Sequence, residues 1–298
     1  MRSASFYFLI FLSCTALFST VQASSLSQEE ARTALGRRLF YDADLSADGS
    51  MSCATCHNQK HAFAESNATH MGVTNEEGIR NVPSLANIKD FTTLTWLEQH
   101  ISRLEDQFFT PLMGHDPVEM GMTSKAVLEQ RVASDACYQK LFKQAFPDES
   151  GHITADTIAQ AVSAFERTLV SNTSAWDRAQ KEHHPLPLQA EEGASLFFKE
   201  KKCAACHSGF LLSDQKFYKL TSASSTAIRT PSLRNVAVTA PYLHDGSAPT
   251  LEAALQAHHA ITLTPRQSEA LVAFMQTLTD QTFLHNPAFG LPAEGCPL

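Results

Sequence analysis

With 298 residues, 43% of them hydrophobic and 18% charged, the chain has the apolar material for one large or two ordinary folded domains, which excludes a disordered or fibrous protein. Its formal charge of −8 leaves no basic excess to neutralise phosphates, which argues against nucleic acid as a partner and suits a soluble protein facing a basic one.

Residues 1–23 read as a secretory signal peptide. Arg2 supplies the positive start, Phe6 to Phe18 a mostly apolar stretch, and Val21-Gln22-Ala23 a small-residue site for cleavage after Ala23. The apolar run is too short and interrupted for a membrane span, and Phe11-Leu12-Ser13-Cys14 is a poor lipid-anchoring box. The mature chain is expected in the periplasm, with no membrane span.

The first predicted helix opens on a capping box, Ser27 with Glu30 three residues on, and ends at Gly36-Arg37-Arg38-Leu39-Phe40. It runs into Cys53-Ala54-Thr55-Cys56-His57. After the candidate N-cap Thr154, Ile158, Ala161, Val162, Phe165 and Leu169 recur at helical spacing. A further helical pattern closing on Gly193-Ala194-Ser195-Leu196-Phe197-Phe198 runs into Cys203-Ala204-Ala205-Cys206-His207. Leu251 to His259 reads as a helix, and Thr264-Pro265 opens a last one through Met275, with Gln267 completing its capping box. No run alternates convincingly as a strand.

Both cysteine motifs are C-x-x-C-H, the attachment signature of haem c. The spacing lets two sulfurs bond the two vinyl groups of one porphyrin, and directs the adjacent histidine at the iron. A thioredoxin-like redox pair or a zinc framework are the competing readings. A separation of about 150 residues and a trailing His in each motif speak against zinc. The duplicated helix–C-x-x-C-H unit predicts an all-α fold of two cytochrome c-like domains, each around one covalently bound haem c. Their expected extents are residues 24–165 and 166–298, with an approximate boundary that helices can cross. Cys137 and Cys296 stand outside the motifs. An oxidising compartment allows them to pair, and the sequence does not give the distance between them.

Further stretches recur in a fixed order: Arg80-Asn81-Val82-Pro83-Ser84, Leu94-Thr95-Trp96, Leu104-Glu105-Asp106-Gln107 and Pro117-Val118-Glu119-Met120-Gly121. The second half adds Ala164-Phe165-Glu166-Arg167-Thr168-Leu169, Thr230-Pro231-Ser232-Leu233-Arg234-Asn235 and Thr239-Ala240-Pro241-Tyr242-Leu243-His244-Asp245-Gly246-Ser247. Over nearly the whole mature chain, this order and spacing resembles the bacterial di-haem cytochrome c peroxidase/MauG family. The Leu-Thr-Trp and Pro-Val-Glu-Met-Gly wording is most similar to its MbnH-like branch, whose members oxidise a tryptophan in a partner protein.

The resemblance makes the N-terminal haem on His57 the peroxide site, with Gln107 and Glu119 on its distal face and Pro111 nearby. A carboxylate held there can move a proton between the peroxide oxygens, which makes Glu119 the acid/base; the bland alternative is a surface carboxylate. The family's distal histidine position is Val73 here, which implies a five-coordinate iron. His70 and His61 stand nearby, off the expected spacing, and His70 reads as an ordinary loop histidine. For the C-terminal haem on His207, the family's second ligand falls sixteen residues after Tyr242, at His258, where other members have Met or Tyr. A His/His pair would lower the potential. His259 is the alternative, pointing about 100° away on a helix. Trp96 matches the tryptophan between the haems, a charge relay, against the reading of a core residue; Trp176 reads as core. Asn81, Thr239 and Pro241 match positions that hold a calcium ion through hard oxygen donors. Arg234 and His244 receive no firm role.

The expected function is that of a periplasmic di-haem peroxidase, reacting with hydrogen peroxide and oxidising an external donor. In the first form the donor is a tryptophan of a partner protein. In the second it is a small cytochrome or cupredoxin, and the protein removes peroxide. A third, non-enzymatic form is an electron-transfer cytochrome with both irons saturated.

Overall fold

A computed structural model of the chain describes residues 26–220, 226–258 and 261–296. The signal peptide, with Cys14 and the cleavage site at Ala23, and the alternative ligand His259 lie outside them. Among the described residues the first half holds α1 (Gln28–Phe40), α2 (Cys53–Cys56), α3 (Leu104–Gln107), α4 (Phe109–Met113), α5 (Lys125–Ser134), α6 (Ala136–Ala145) and α7 (Ala155–Arg167). The second holds α8 (Ala175–Glu182), α9 (Leu188–Ser195), α10 (Leu251–Gln256), α11 (Pro265–Gln276) and α12 (Gln281–Leu284). A two-residue hairpin of β1 (Phe217–Tyr218) and β2 (Ile228–Arg229) is the sheet among them, so the class is all-α. No helix of the described residues is long and apolar enough to cross a membrane.

Local chemistry starts these helices where the sequence predicts. Ser27 Oγ accepts the Glu30 N–H at 3.3 Å and Glu30 Oε2 accepts the Ser27 N–H at 2.9 Å, satisfying two donors that a helix start leaves unpaired. Thr154 Oγ1 caps α7 through the Thr157 N–H at 3.1 Å. Thr264 and Gln267 close a reciprocal box on α11, with Pro265 at its first position.

The two halves repeat one crossing. In the first core, Leu35, Leu39 and Phe40 of α1 pack on Ile158, Val162 and Phe165 of α7, with the Phe40 and Phe165 rings 5.2 Å apart. Gly36 lets the backbones meet, since a Cβ there would lie 1.7 Å from the Ala161 carbonyl oxygen. In the second core α9 crosses α11 in the same way: a Cβ on Gly193 would lie 1.9 Å from the Ala270 oxygen. Trp176 stacks on Phe198 at 5.3 Å and meets Phe274 edge-on, a core position as its sequence context suggests.

Two expectations need correction. The Leu251–His259 helix ends at Gln256, where the His258 N–H turns to the Leu255 carbonyl at 3.2 Å in a tightened last turn, so His258 lies just beyond α10. The helix opened by Thr264 is not the last, because Asp280 caps the short α12 through the Phe283 N–H. After α11 the chain crosses back, and Phe283, Leu284 and Phe289 join the first core. Cys137 and Cys296 form a disulfide that fastens this tail to α6. Arg37 grips the tail too, donating to the carbonyls of Gly290 at 2.7 Å and Pro287 at 2.8 Å.

Candidate active site

Helix α2 is one turn long, which places Cys53 and Cys56 on one face and leaves His57 as its C-cap. His57 Nδ1 lies 2.7 Å from the Phe63 carbonyl; that acceptor fixes the proton on Nδ1 and leaves Nε2 as the ligand atom. The second motif repeats the arrangement on a 3₁₀ turn, with His207 Nδ1 3.2 Å from the Leu212 carbonyl. The supporting loops match as well. Ser84 Oγ donates to Ala62 O at 2.6 Å and Ser232 Oγ to Leu211 O at 2.7 Å. Asn87 and Asn235, three residues beyond, are both left-handed.

All four motif cysteines are unpaired, and burial pushes each thiol upward, Cys56 to about 12. A redox C-x-x-C needs the opposite, a thiol shifted down to favour thiolate. Two free thiols beside a histidine in each motif form a donor set that fits covalent haem attachment. Burial also lowers both histidines, His207 to about 4 with help from His258, which keeps the imidazoles neutral and able to bind metal.

The second site carries its own test of fit. The His207 and His258 ring centroids lie 6.3 Å apart, with the ring planes inclined at 60°. Two metal–nitrogen bonds of about 2 Å, plus about 1.2 Å from each ring nitrogen to its centroid, span about 6.4 Å. The match is to one metal ion between two imidazoles. His258 Nδ1 is 2.8 Å from the Ala254 carbonyl, which again leaves Nε2 for the metal. Both rings, Cys203 and Cys206 line a cavity of about 790 Å³ that extends to Trp96 at the junction of the halves, large enough for a cofactor.

On the first site, three segments are stitched around Glu119. The Met120 and Met122 N–H groups donate to the Pro111 and Leu112 carbonyls of α4 at 3.0 and 2.8 Å, and the Val73 N–H donates to the Glu119 carbonyl at 2.8 Å. Gln107, half-buried, ends α3, with Phe108 alone between it and α4, the helix that holds Pro111. Glu119 is exposed to solvent, yet the protein packed around its carboxyl holds it above the ordinary carboxylate range, and His70 partly opposes this.

His70 is more than a loop histidine. Its Nδ1 lies 2.8 Å from Glu65 Oε2, and ligand atoms of His70, Glu65 and Cys56 all fall within 4.8 Å of one another. His61 instead points to the second half, with Nδ1 3.1 Å from the Val238 carbonyl. Trp96 is 9% exposed, and its indole N–H donates to the Asn81 carbonyl at 2.8 Å. Asn81, Thr239 and Pro241 all border the same central cavity, and the Asn81 N–H donates to the His244 carbonyl across the junction at 2.9 Å.

Two residues escaped the sequence reading. Arg229 is 3% exposed and lines the cavity; its Nε donates to the Thr95 carbonyl at 3.0 Å while Nη1 finds no partner. Burial lowers its guanidinium to about 10. A buried cation with an unmet donor suits a carboxylate in that cavity, such as a haem propionate. The available signal was its place before Thr230-Pro231, where the first repeat has Asn81 before Val82-Pro83. Glu65 is the other, visible only as a carboxylate nine residues after Cys56. Arg234 is engaged elsewhere, in a buried bidentate pair with Asp177 at 3.0 Å for both contacts.

Two C-x-x-C-H sites on repeated helix crossings, joined across one tryptophan, define a di-haem cytochrome c protein. A family model described as di-haem cytochrome c peroxidase matches residues 30–184, and a cytochrome c model matches residues 190–279. The chain belongs to the di-haem cytochrome c peroxidase family, and it is a di-haem peroxidase, an oxidoreductase. It is 32% identical to the methylamine utilization protein MauG of Methylorubrum extorquens over 86% of this chain and 80% of that one. It is 30% identical to the cytochrome c551 peroxidase of Nitrosomonas europaea over 87% and 81%. Among solved structures, a MauG-like protein associated with microbial copper homeostasis superposes with a TM-score of 0.82 and 33% identity, over 88% of this chain and 93% of the other. The family and the cytochrome c domains imply two haem c groups.

Proposed function

We propose that the protein is a periplasmic MauG/MbnH-like peroxidase that reacts with hydrogen peroxide and oxidises a tryptophan of a partner protein. The observation that carries this reading is Val73. It stands at the family's position for a distal histidine and has no metal-binding atom. Gly121 packs on it so closely that a Cβ there would lie 2.8 Å from Val73 Cγ2. The backbone of Val73 serves instead to hold Glu119. The similarity to MauG and to a MauG-like structure supports the same branch.

Cys53, Cys56 and His57 would hold one haem, and Cys203, Cys206, His207 and His258 the other. When bound, the haems supply iron that accepts peroxide and stores its oxidising equivalents. Glu119 holds a proton at its carboxyl and moves it between the two peroxide oxygens, and Gln107 assists as a second hydrogen-bonding side chain. Trp96, held by backbone atoms of both halves, relays charge between the sites. Asn81, through its side-chain amide oxygen, and the carbonyls of Thr239 and Pro241 would hold calcium at the junction.

The test is to mix the oxidised di-haem protein with one equivalent of hydrogen peroxide and follow optical and EPR spectra. A rapid change without prior reduction is expected. A reaction only after one haem is reduced would overturn the reading. It would assign a closed first site, with His70 as the closing ligand, and a peroxide-removing enzyme fed by a small cytochrome or cupredoxin. Inertness in both states would leave an electron carrier.

A further inference from the structure

Residues 199–220 depart from the acidic character of the chain. Lys199, Lys201, Lys202, Lys216 and Lys219 stand there against two acids, Glu200 and Asp214, in a protein of formal charge −8. They surround the second haem motif. Lys201 acts electrostatically on Cys203 and Lys216 on Cys206, while Lys202 and Lys219 line the cavity that holds both thiols. Within this basic rim lie the exposed apolar side chains Phe210, Tyr218 and Leu220, at 47%, 42% and 38% exposure. Apolar centre and charged border are the arrangement of a docking surface, and the sign of the border selects the partner.

Tyr218 lines the cavity together with the haem-attachment residue Cys206, and its hydroxyl donates to Asp214 Oδ2 at 2.7 Å. A phenol gives up an electron readily only when its proton has somewhere to go, and Asp214 is a carboxylate already in place.

We propose that the rim around Cys206 docks a partner protein through an acidic face, and that Tyr218 passes the partner's electrons to the second haem domain. This deepens the function proposed above and rests on it for the oxidant. Tyr218 loses one electron to the peroxide-oxidised protein while its phenolic proton moves to Asp214. The partner's side chain then supplies one electron, and the proton returns to the phenol. Two such cycles supply the two electrons that one hydrogen peroxide takes up in becoming two waters; because the phenolic proton returns each time, the two protons also consumed come from solvent. The acidic chain as a whole suits a basic partner, whereas its electron-entry surface selects an acidic one.

The experiment uses the fully haem-loaded protein and has two arms. In the first, reduced protein is oxidised in stopped flow by the ferricyanide anion or the tris-phenanthroline cobalt(III) cation, with no peroxide present. Lys202→Glu with Lys219→Glu should slow ferricyanide by about tenfold at low ionic strength and speed the cobalt complex, with both effects fading at high salt. Unchanged rates for both ions would overturn the docking surface. In the second arm, protein carrying ring-deuterated tyrosine is mixed with peroxide without a donor and freeze-quenched for EPR. A radical signal narrowed by the deuterium and lost in Tyr218→Phe is expected; a signal that persists in Tyr218→Phe, or no tyrosine signal, overturns the relay. Absence of any peroxide reaction in the unsubstituted protein sinks the peroxidase reading and the relay together, while the first arm still judges the rim.

Discussion

Replacing Glu166 by glutamine should stabilise the protein at high pH and leave it unchanged in acid. Glu166 sits near the end of α7 at 8% exposure, and burial pushes its carboxyl from 4.5 up to about 8; Arg167 opposes this and Glu105 adds to it. It also acts on Cys53, the first residue of the first haem motif. With the folded value raised, the folded state keeps a proton that the unfolded chain releases above about 4.5. The contribution to stability is therefore full below that pH, declines as pH rises, and is gone above about 8. The difference between 4.5 and about 8 corresponds to about 5 kcal/mol, an upper bound because a buried carboxylate recruits water and shifts its neighbours. At about 2 °C per kcal/mol for a protein of this size, Glu166→Gln should raise the melting midpoint by on the order of 10 °C at pH 9, with little difference at pH 4. Circular dichroism melts of both haem-loaded proteins across that range provide the assay. A midpoint difference that is the same at both ends would refute the buried, protonated carboxyl.

Three other substitutions probe the sites. Glu119→Gln should lower the rate of the peroxide-induced spectral change by about 10²–10⁴-fold, read by stopped-flow absorbance, and a loss below threefold would remove Glu119 as the acid/base. His258→Met should raise the potential of the second haem in a spectroelectrochemical titration, since a His/Met pair favours reduced iron; an unmoved potential would point to another ligand. Asp177→Asn leaves Arg234 buried without its partner and should cost about 3–5 kcal/mol in denaturant unfolding, whereas a cost under 1 kcal/mol would mean that the pair is not maintained in solution.

Features with local causes are readable from the sequence. Capping boxes at Ser27 and Thr264 act within four residues, and α1 and α11 begin where those residues predict. The two C-x-x-C-H motifs announce their chemistry in five residues each. What escapes prediction depends on contacts distant in sequence. Arg229 is distinguished by burial and an unmet donor, properties supplied by Phe91, Thr95 and the cavity wall rather than by its neighbours in the chain. His70 and Arg234 are assigned by Glu65 and Asp177, and only folding brings Asp177 to Arg234. The end of α10 misleads for another reason, because Leu251–His259 has helical spacing but no stop signal, and the tightened turn at His258 breaks it.

The repeat also explains how one tryptophan is held by both haem-binding halves. Asn81 and Arg229 occupy equivalent places, each two residues before a Pro-Ser-Leu segment whose serine braces the loop after its haem-binding histidine. Both hold Trp96 through backbone atoms: the Asn81 carbonyl accepts the indole N–H at 2.8 Å, and the Arg229 N–H donates to the Trp96 carbonyl at 3.0 Å. The position of the tryptophan is thus tied to the loops that brace His57 and His207, without depending on a flexible side chain from either half. The copies then diverge where their tasks differ. Val73 contributes only packing and an N–H that holds Glu119, while the second repeat presents His258 opposite His207. The shared frame therefore keeps the two sites at a set spacing, and under the proposed function the residues facing each iron would separate a site that meets peroxide from a site that passes electrons.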